Sequence, residues 1–190
     1  MIPKIVLTSA GEALLAKTAE GYAVPVTRWQ IGKGALPAGS SLDRTALVDP
    51  VEYLPLYQVT SEGAQATVLG QFTNQAVTEA FHFEELGLLA QDPEVGEILF
   101  CYGNAFGEGE EIQAGTVQLR EFIFGTELIF SGSANMTGEI QQALVFIPLA
   151  QKGQPEGVAP LGEDGLVPEQ YLPEMSELDA VIQVTYNGGD

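Results

Sequence analysis

Short apolar runs that are repeatedly cut off by glycine or proline constrain this chain more than any other feature. The sequence holds 22 glycines and 11 prolines among 190 residues. Both residues interrupt regular elements and favour turns, so the pattern predicts many short elements joined by turns. Hydrophobic residues make up 45% of the chain, which is enough to bury a core and argues against disorder over the whole length.

Alternating apolar and polar residues identify most of these elements as β-strands. The glycines and prolines between them predict hairpin turns at 61–64 and 92–96, a helical turn at 44–47 and a glycine- and glutamate-rich loop at 107–115. Strands or core-like segments are predicted at 24–31, 52–60, 65–72, 81–90, 97–103, 117–124, 127–130 and 138–147.

One helix is predicted near the N-terminus. Ser9 and Glu12 have the spacing of a capping box, in which the serine is the N-cap and the glutamate reaches back to it. An apolar stripe and then a terminating glycine follow at Leu14, Leu15, Ala19 and Gly21. The fold class is therefore α+β, with this helix packed on mainly antiparallel strands.

The chain changes character near Pro148. Residues 152–190 contain one base, Lys152, against eight acids, and four prolines fall between 155 and 173. Apolar residues there show no strong period, which is typical of an extended connector. We predict a domain at 1–150 and an extended, acidic, Pro/Gly-rich connector at 151–190.

Charge and cysteine content exclude several classes of partner. The chain carries 26 acidic and 7 basic residues, a formal net charge of −19, which repels nucleic-acid phosphates and anionic membrane surfaces. We expect no nucleic-acid partner and no membrane insertion, because no signal peptide and no apolar window of membrane-spanning length is visible. The single cysteine, Cys101, lies in an apolar run and is interpreted as a small buried hydrophobe.

The residues that could support catalysis fit a structural role better than a catalytic one. His82, the only histidine, alternates with Phe81 and Phe83 and is interpreted as a surface or interface residue. Glu84 and Glu85 could form the acid/base pair of a glycosidase, but adjacent strand residues point to opposite faces. We therefore predict no catalytic residue and no enzymatic activity.

Two further segments resemble ligand sites only in part. Glu108, Glu110 and Glu111 crowd one loop, but they lack the spaced ligands of a calcium loop and are interpreted as a solvated acidic turn. Gly32-Lys33-Gly34 lacks the second half of a phosphate-binding loop and is interpreted as a turn. We predict no cofactor-binding residue, no metal site and no cofactor.

Several segments together resemble the tail-collar fibre family, the N-terminal baseplate-attachment domain of phage tail fibres. The most specific is Glu85-Leu-Gly-Leu-Leu-Ala90, followed by Asp92-Pro and by Gly96-Glu-Ile-Leu-Phe-Cys-Tyr102, which is similar to that family's Glu-Ile-Gly-Leu-Phe-Ala motif and the strand after it. The order of segments along the chain supports the resemblance, which covers about residues 5–105 and 157–173. The other matching segments are Leu7–Ala16, Val26–Gly34, Thr45–Val48 and Gly157–Pro173.

The resemblance implies that the chain attaches a fibre to a particle and catalyses no reaction. Members of that family anchor a fibre to the baseplate, usually as trimers, so the expected partners are further copies of the chain, baseplate wedge proteins, and distal fibre modules or a chaperone. The expected location is the tail of a virion, or of a phage-derived contractile particle, assembled in the host cytoplasm. Phe122, Phe124 and Phe130 are candidates for a trimer surface, with a monomer core as the alternative.

Two alternative functions stay open on the sequence. The chain could be a short fibre that itself binds the host cell surface. A polysaccharide-degrading tail enzyme is the second alternative, although the sequence offers no constellation of carboxylates for it.

Overall fold

A computed structural model describes residues 5–17, 23–129, 136–140, 158–162 and 165–172. Contacts divide the chain into two units, residues 1–146 and 147–190. The first unit is mainly antiparallel β-sheet with one helix, as predicted.

The elements of the first unit begin with a short strand, β1, and the only α-helix of the described residues, α1. Their bounds are β1 Ile5–Leu7, α1 Ser9–Lys17, β2 Val24–Gly32, β3 Pro50–Leu54, β4 Leu56–Glu62, β5 Gln65–Thr73, β6 Phe81–Phe83, β7 Glu85–Asp92, β8 Gly96–Asn104, β9 Glu110–Ile112, β10 Glu121–Ile129 and β11 Met136–Gly138.

The strands form three sheets. The largest has the order β1-β8-β7-β2-β11, and β3 also pairs with β2 on the side where β11 lies. A three-stranded sheet has the order β10-β5-β4, and β6 pairs with β9 as a small separate ladder. All of these pairs are antiparallel except β11 with β2.

The core lies where the two larger sheets face each other. Trp29 of β2 is fully buried, and its ring meets Phe124 of β10 edge-on at 5.3 Å between centroids. Gly70 of β5 lies directly against the indole, since a Cβ there would come within 2.5 Å of Trp29 Cδ1. Cys101 is buried, as predicted, and burial raises the pKa of its thiol to about 12.

Helix α1 approaches β8 closely, and its cap differs from the predicted one. Thr8, not Ser9, is the N-cap: its Oγ1 accepts from the backbone N–H of Gly11 and donates to the carbonyl oxygen of Leu99. Ser9 instead donates to Asp43 from both its backbone N–H and its hydroxyl. A Cβ at Gly11 would lie 2.1 Å from the carbonyl oxygen of Phe100, so glycine permits the helix to pack this near the sheet.

Two predicted strands are each divided between two sheets. The prediction of one strand over 52–60 is wrong, because the chain leaves one sheet at Leu54 and joins another at Leu56, on either side of Pro55. The prediction over 81–90 is wrong in the same way, since β6 ends at Phe83 and β7 begins at Glu85. Proline cannot donate to a ladder, which accounts for the first break.

Three other predictions also need correction. Residues 44–47 form no helical turn, the loop predicted at 107–115 contains β9, and the separate strands predicted at 117–124 and 127–130 are one strand, β10, that begins only at Glu121. The strands predicted at 24–31, 65–72 and 97–103 are confirmed as β2, β5 and β8. Ala19, Gly21, Phe130 and residues 141–147 lie outside the described residues.

In the second unit the structure describes two short segments. Gly165 has a left-handed conformation with φ of 77°, and its N–H donates to the carbonyl oxygen of Gly162, whose own N–H donates to the carbonyl oxygen of Leu166. Glu169–Tyr171 form one 3-10 turn. The predicted connector at 151–190 is not confirmed by these segments. Among the described residues, no helix is both long enough and apolar enough to cross a lipid bilayer.

Candidate functional site

The two glutamates considered as an acid/base pair serve separate structural purposes. Glu85 is fully buried, and its Oε1 accepts from the backbone N–H groups of Gly34 at 2.9 Å and Asp49 at 2.8 Å. Its Oε2 accepts from the N–H of Val48 at 2.7 Å and from the Tyr102 hydroxyl at 2.6 Å. We call this arrangement the Glu85 clamp. It ties the loop around residues 34–49 to strands β7 and β8.

Asn104 extends the clamp. Its Nδ2 donates to the carbonyl oxygen of Gly34 and to the Tyr102 hydroxyl, while its Oδ1 accepts from the backbone of Leu36 and Phe106. Burial and the hydrogen bond to Glu85 raise the pKa of Tyr102, so its hydroxyl stays protonated and remains a donor. A Cβ at Gly34 would lie 2.5 Å from Glu85 Oε1, so the absence of a side chain at Gly34 lets the Gly32-Lys33-Gly34 turn approach the carboxylate.

Glu84 lies between β6 and β7 and accepts from donors that differ from those of Glu85. Its two oxygens accept from the backbone N–H groups of Gly107 and Gly109 and so hold the loop before β9. Both carboxylates are fully engaged by donors of the protein itself. Glu84 and Glu85 therefore do not face a common space in which a substrate could lie.

The other sequence candidates are dispersed. His82 is exposed on β6, opposite Glu111 in the ladder with β9. Glu110 and Glu111 belong to that strand instead of the predicted turn, and Glu110 Oε1 pairs with Arg120 at 2.8 Å. Within the described ranges, no group of three or more histidine, cysteine, aspartate or glutamate side chains is placed to hold a metal ion.

An apolar groove lies along β10 in the described part of the chain, and sequence reasoning did not find it. It measures about 370 Å³ and draws on all three sheets. The large sheet contributes Ile5, Ile31 and Leu86, the β6–β9 ladder contributes Phe83, Glu110 and Ile112, and the three-stranded sheet contributes Phe72, Phe122, Ile123, Phe124 and Gly125. Among the described residues of this lining, Glu110 is the only charged one.

Phe122 and Phe124, the candidates for a trimer surface, pack against residues of the same chain. Phe122 stacks on Phe72 at 5.9 Å, and Phe124 meets Trp29. The opposite face of β10 is the more exposed one, with Ile123 48% and Ile129 77% accessible. The strand thus offers Phe122 and Phe124 to the groove on one face, and its other face is partly apolar, with Ile123 at the rim that also lines the groove.

Strand β10 is also an edge. Among the described strands it pairs only with β5, in an unbroken register from Glu121 opposite Thr73 to Ile129 opposite Gln65. An edge strand presents backbone N–H and C=O groups that a further strand can use. The groove and the edge are therefore one continuous candidate site, which we call the β10 groove.

Comparisons with other proteins add no relative. No protein-family model matches the chain, and no curated protein or solved structure is significantly similar to it.

Proposed function

We propose that this chain is a structural protein and not an enzyme: the baseplate-attaching part of a tail fibre, in a phage or in a phage-derived contractile particle. In this role it forms a homotrimer, binds baseplate wedge proteins and supports distal fibre modules in the virion tail. Residues 151–190 then serve as an extended acidic connector that leads away from the anchor.

One observation supports this proposal more than any other: the resembling segments meet at one carboxylate. Glu85 opens the Glu85–Ala90 segment, and its donors come from three of the others, Gly34 at the end of Val26–Gly34, Val48 at the end of Thr45–Val48, and Tyr102 at the end of Gly96–Tyr102. Segments that matched by chance would have no physical reason to converge. Their convergence favours the interpretation that the segments resemble the family because they build the same part of a fold, since each segment supplies one part of a single buried network.

The contacts of the acidic side chains also favour a structural protein over an enzyme. Glu84 and Glu85 accept from the protein itself, Asp92 caps the β7–β8 turn through the N–H groups of Glu94 and Val95, and Glu110 pairs with Arg120. A glycosidase needs two carboxyl groups that face the scissile bond. Among the described residues, the groups just named are engaged in holding loops and turns.

Two measurements test the proposal. The first is the solution mass of the purified chain by light scattering over a range of concentrations, for which we expect three times 20.2 kDa. The second is detection of the chain, with a specific antibody, in sedimented tail particles from the organism that produces it. Absence from the particle fraction, while the chain is abundant in the lysate, would refute the attachment role.

A further inference from the structure

We propose that the β10 groove binds an extended segment of a partner protein, which adds as an extra strand along Phe122–Ile129, on the side of β10 that faces away from β5, and carries basic side chains. This inference deepens the proposed function and rests on it, because it gives the chemistry of the partner in the attachment. The partner segment places alternate apolar side chains in the groove and its lysines or arginines at the rim.

The backbone of β10 fits such an addition. The strand has nine residues, it contains no proline and no lysine, and β5 is its only partner among the described strands. Natural edge strands are usually protected by prolines, lysines, bulges or a covering element, and the register of β10 with β5 has no bulge. Strand addition at such an edge supplies affinity through main-chain hydrogen bonds.

The groove supplies the pockets that strand addition uses for specificity. The side chains of an added strand alternate, with those on one face about 6.6–6.8 Å apart. Those on the inner face would meet Phe122 and Phe124 on one side and Ile112 and Phe83 on the other, all of which line the groove. Apolar side chains suit this lining, because Glu110 alone is charged and it already pairs with Arg120.

Charge identifies the partner as basic and as a different protein. The segment 108–129, which forms β9, β10 and their connection, contains five acids and one base, Arg120. A second copy of this chain would bring its own acidic strand and a net charge of −19 to the same edge. Like charges on facing strands are destabilising, whereas lysine or arginine opposite Glu127 is favourable.

Synthetic peptides of about nine residues, the length of β10, test the inference by fluorescence anisotropy. The probe alternates lysine with valine, one control alternates glutamate with valine, and a second alternates lysine with serine. A fourth peptide repeats the probe with N-methyl groups on one edge of its backbone. We expect the lysine–valine peptide to bind at least tenfold more tightly than each of the three controls.

Two matched variants localise the binding. Glu127→Lys on β10 should weaken binding of the lysine–valine peptide about three- to tenfold, because a charge at the rim is reversed. Glu62→Lys, on the opposite edge of the same sheet, should leave it unchanged. Bound peptide should also slow amide hydrogen exchange in 121–129 and not in 56–62.

Equal binding of the lysine–serine or N-methylated peptide, or equal effects of the two variants, would overturn the inference in favour of nonspecific attraction to an acidic protein. Protection of 121–129 without peptide, together with a mass that rises with concentration, would overturn it in favour of a second copy at this edge. The two proposals fail separately. Presence in tail particles without peptide binding removes the strand addition alone, and specific peptide binding without presence in particles removes the fibre role alone.

Discussion

Replacing Glu85 with glutamine should destabilise the protein more than any other change of one carboxylate to an amide in the described residues. Glu85 accepts four hydrogen bonds and is fully buried. An amide keeps one acceptor oxygen, but its NH2 group must face two of the four donors. The Tyr102 hydroxyl can rotate to accept, whereas the backbone N–H of Val48 cannot.

The magnitude follows from this count. The best orientation of the substituted amide places its nitrogen towards Tyr102 and Val48, and so leaves one buried N–H without an acceptor. An unsatisfied buried donor costs about 1–3 kcal/mol, and hydrogen bonds to a charged acceptor are each stronger than neutral ones by roughly 1 kcal/mol. We therefore expect the free energy of unfolding to fall by about 2–4 kcal/mol.

The assay is equilibrium denaturation followed by tryptophan fluorescence, because Trp29 is the only tryptophan and is fully buried. Tyr102→Phe removes one of the four donors and should cost less, about 1–2 kcal/mol. Glu62→Gln at an exposed strand end is the control and should stay within about 0.5 kcal/mol of the parent. If Glu85→Gln matched that control, the clamp would not stabilise the fold and the main support for the proposed function would be lost.

Two further predictions concern the helix and its ion pair. Thr8→Ala should lower the free energy of unfolding, measured by urea denaturation, by about 1–2 kcal/mol because it removes the cap of α1. Ser9→Ala, at the residue the sequence favours as the cap, should stay within about 0.5 kcal/mol of the parent. The reverse order would contradict the assigned cap. Hydrogen bonds from Lys17 and from the backbone of the β7–β8 turn lower the pKa of Asp92, so its contribution to stability is present at neutral pH and is lost as the pH falls through its folded pKa, below about pH 4. The stability difference between the parent and Lys17→Met should therefore shrink between about pH 7 and pH 3, and a difference independent of pH would show that the ion pair does not stabilise the fold.

The sequence predicts the elements whose pattern is local and misses those that depend on contacts across the fold. Strands β2, β5 and β8 follow from their alternation. The division at Glu84 could not be seen, because apolar residues continue on both sides of it. The separate strands predicted at 117–124 and 127–130 are joined in β10, which runs through Gly125. A Cβ at Gly125 would come within 2.3 Å of the Val68 carbonyl oxygen, so the glycine permits close pairing with β5.

The candidate site was hidden for the same reason. Glu85 has no neighbour in sequence that marks it as buried, and its four donors come from segments up to 51 residues away. The β10 groove depends on three sheets whose arrangement follows from the divided strands. The nearest sequence signal was the run of phenylalanines at Phe122 and Phe124, which predicted an apolar face but not the edge beside it.

The Glu85 clamp and the β10 groove are built from different parts of the chain, and this separation bears on how the protein would work. The clamp lies within residues 34–104, inside the range for which we propose the resemblance to tail-fibre attachment domains. The groove residues between Glu110 and Gly125, which we call the outer wall, lie between the two ranges that the resemblance covers, 5–105 and 157–173. Substitutions on that wall change charge and apolar surface at the edge of β10 without touching a donor of Glu85. A fold held by one buried carboxylate can therefore keep its scaffold while the strand that meets the proposed partner changes.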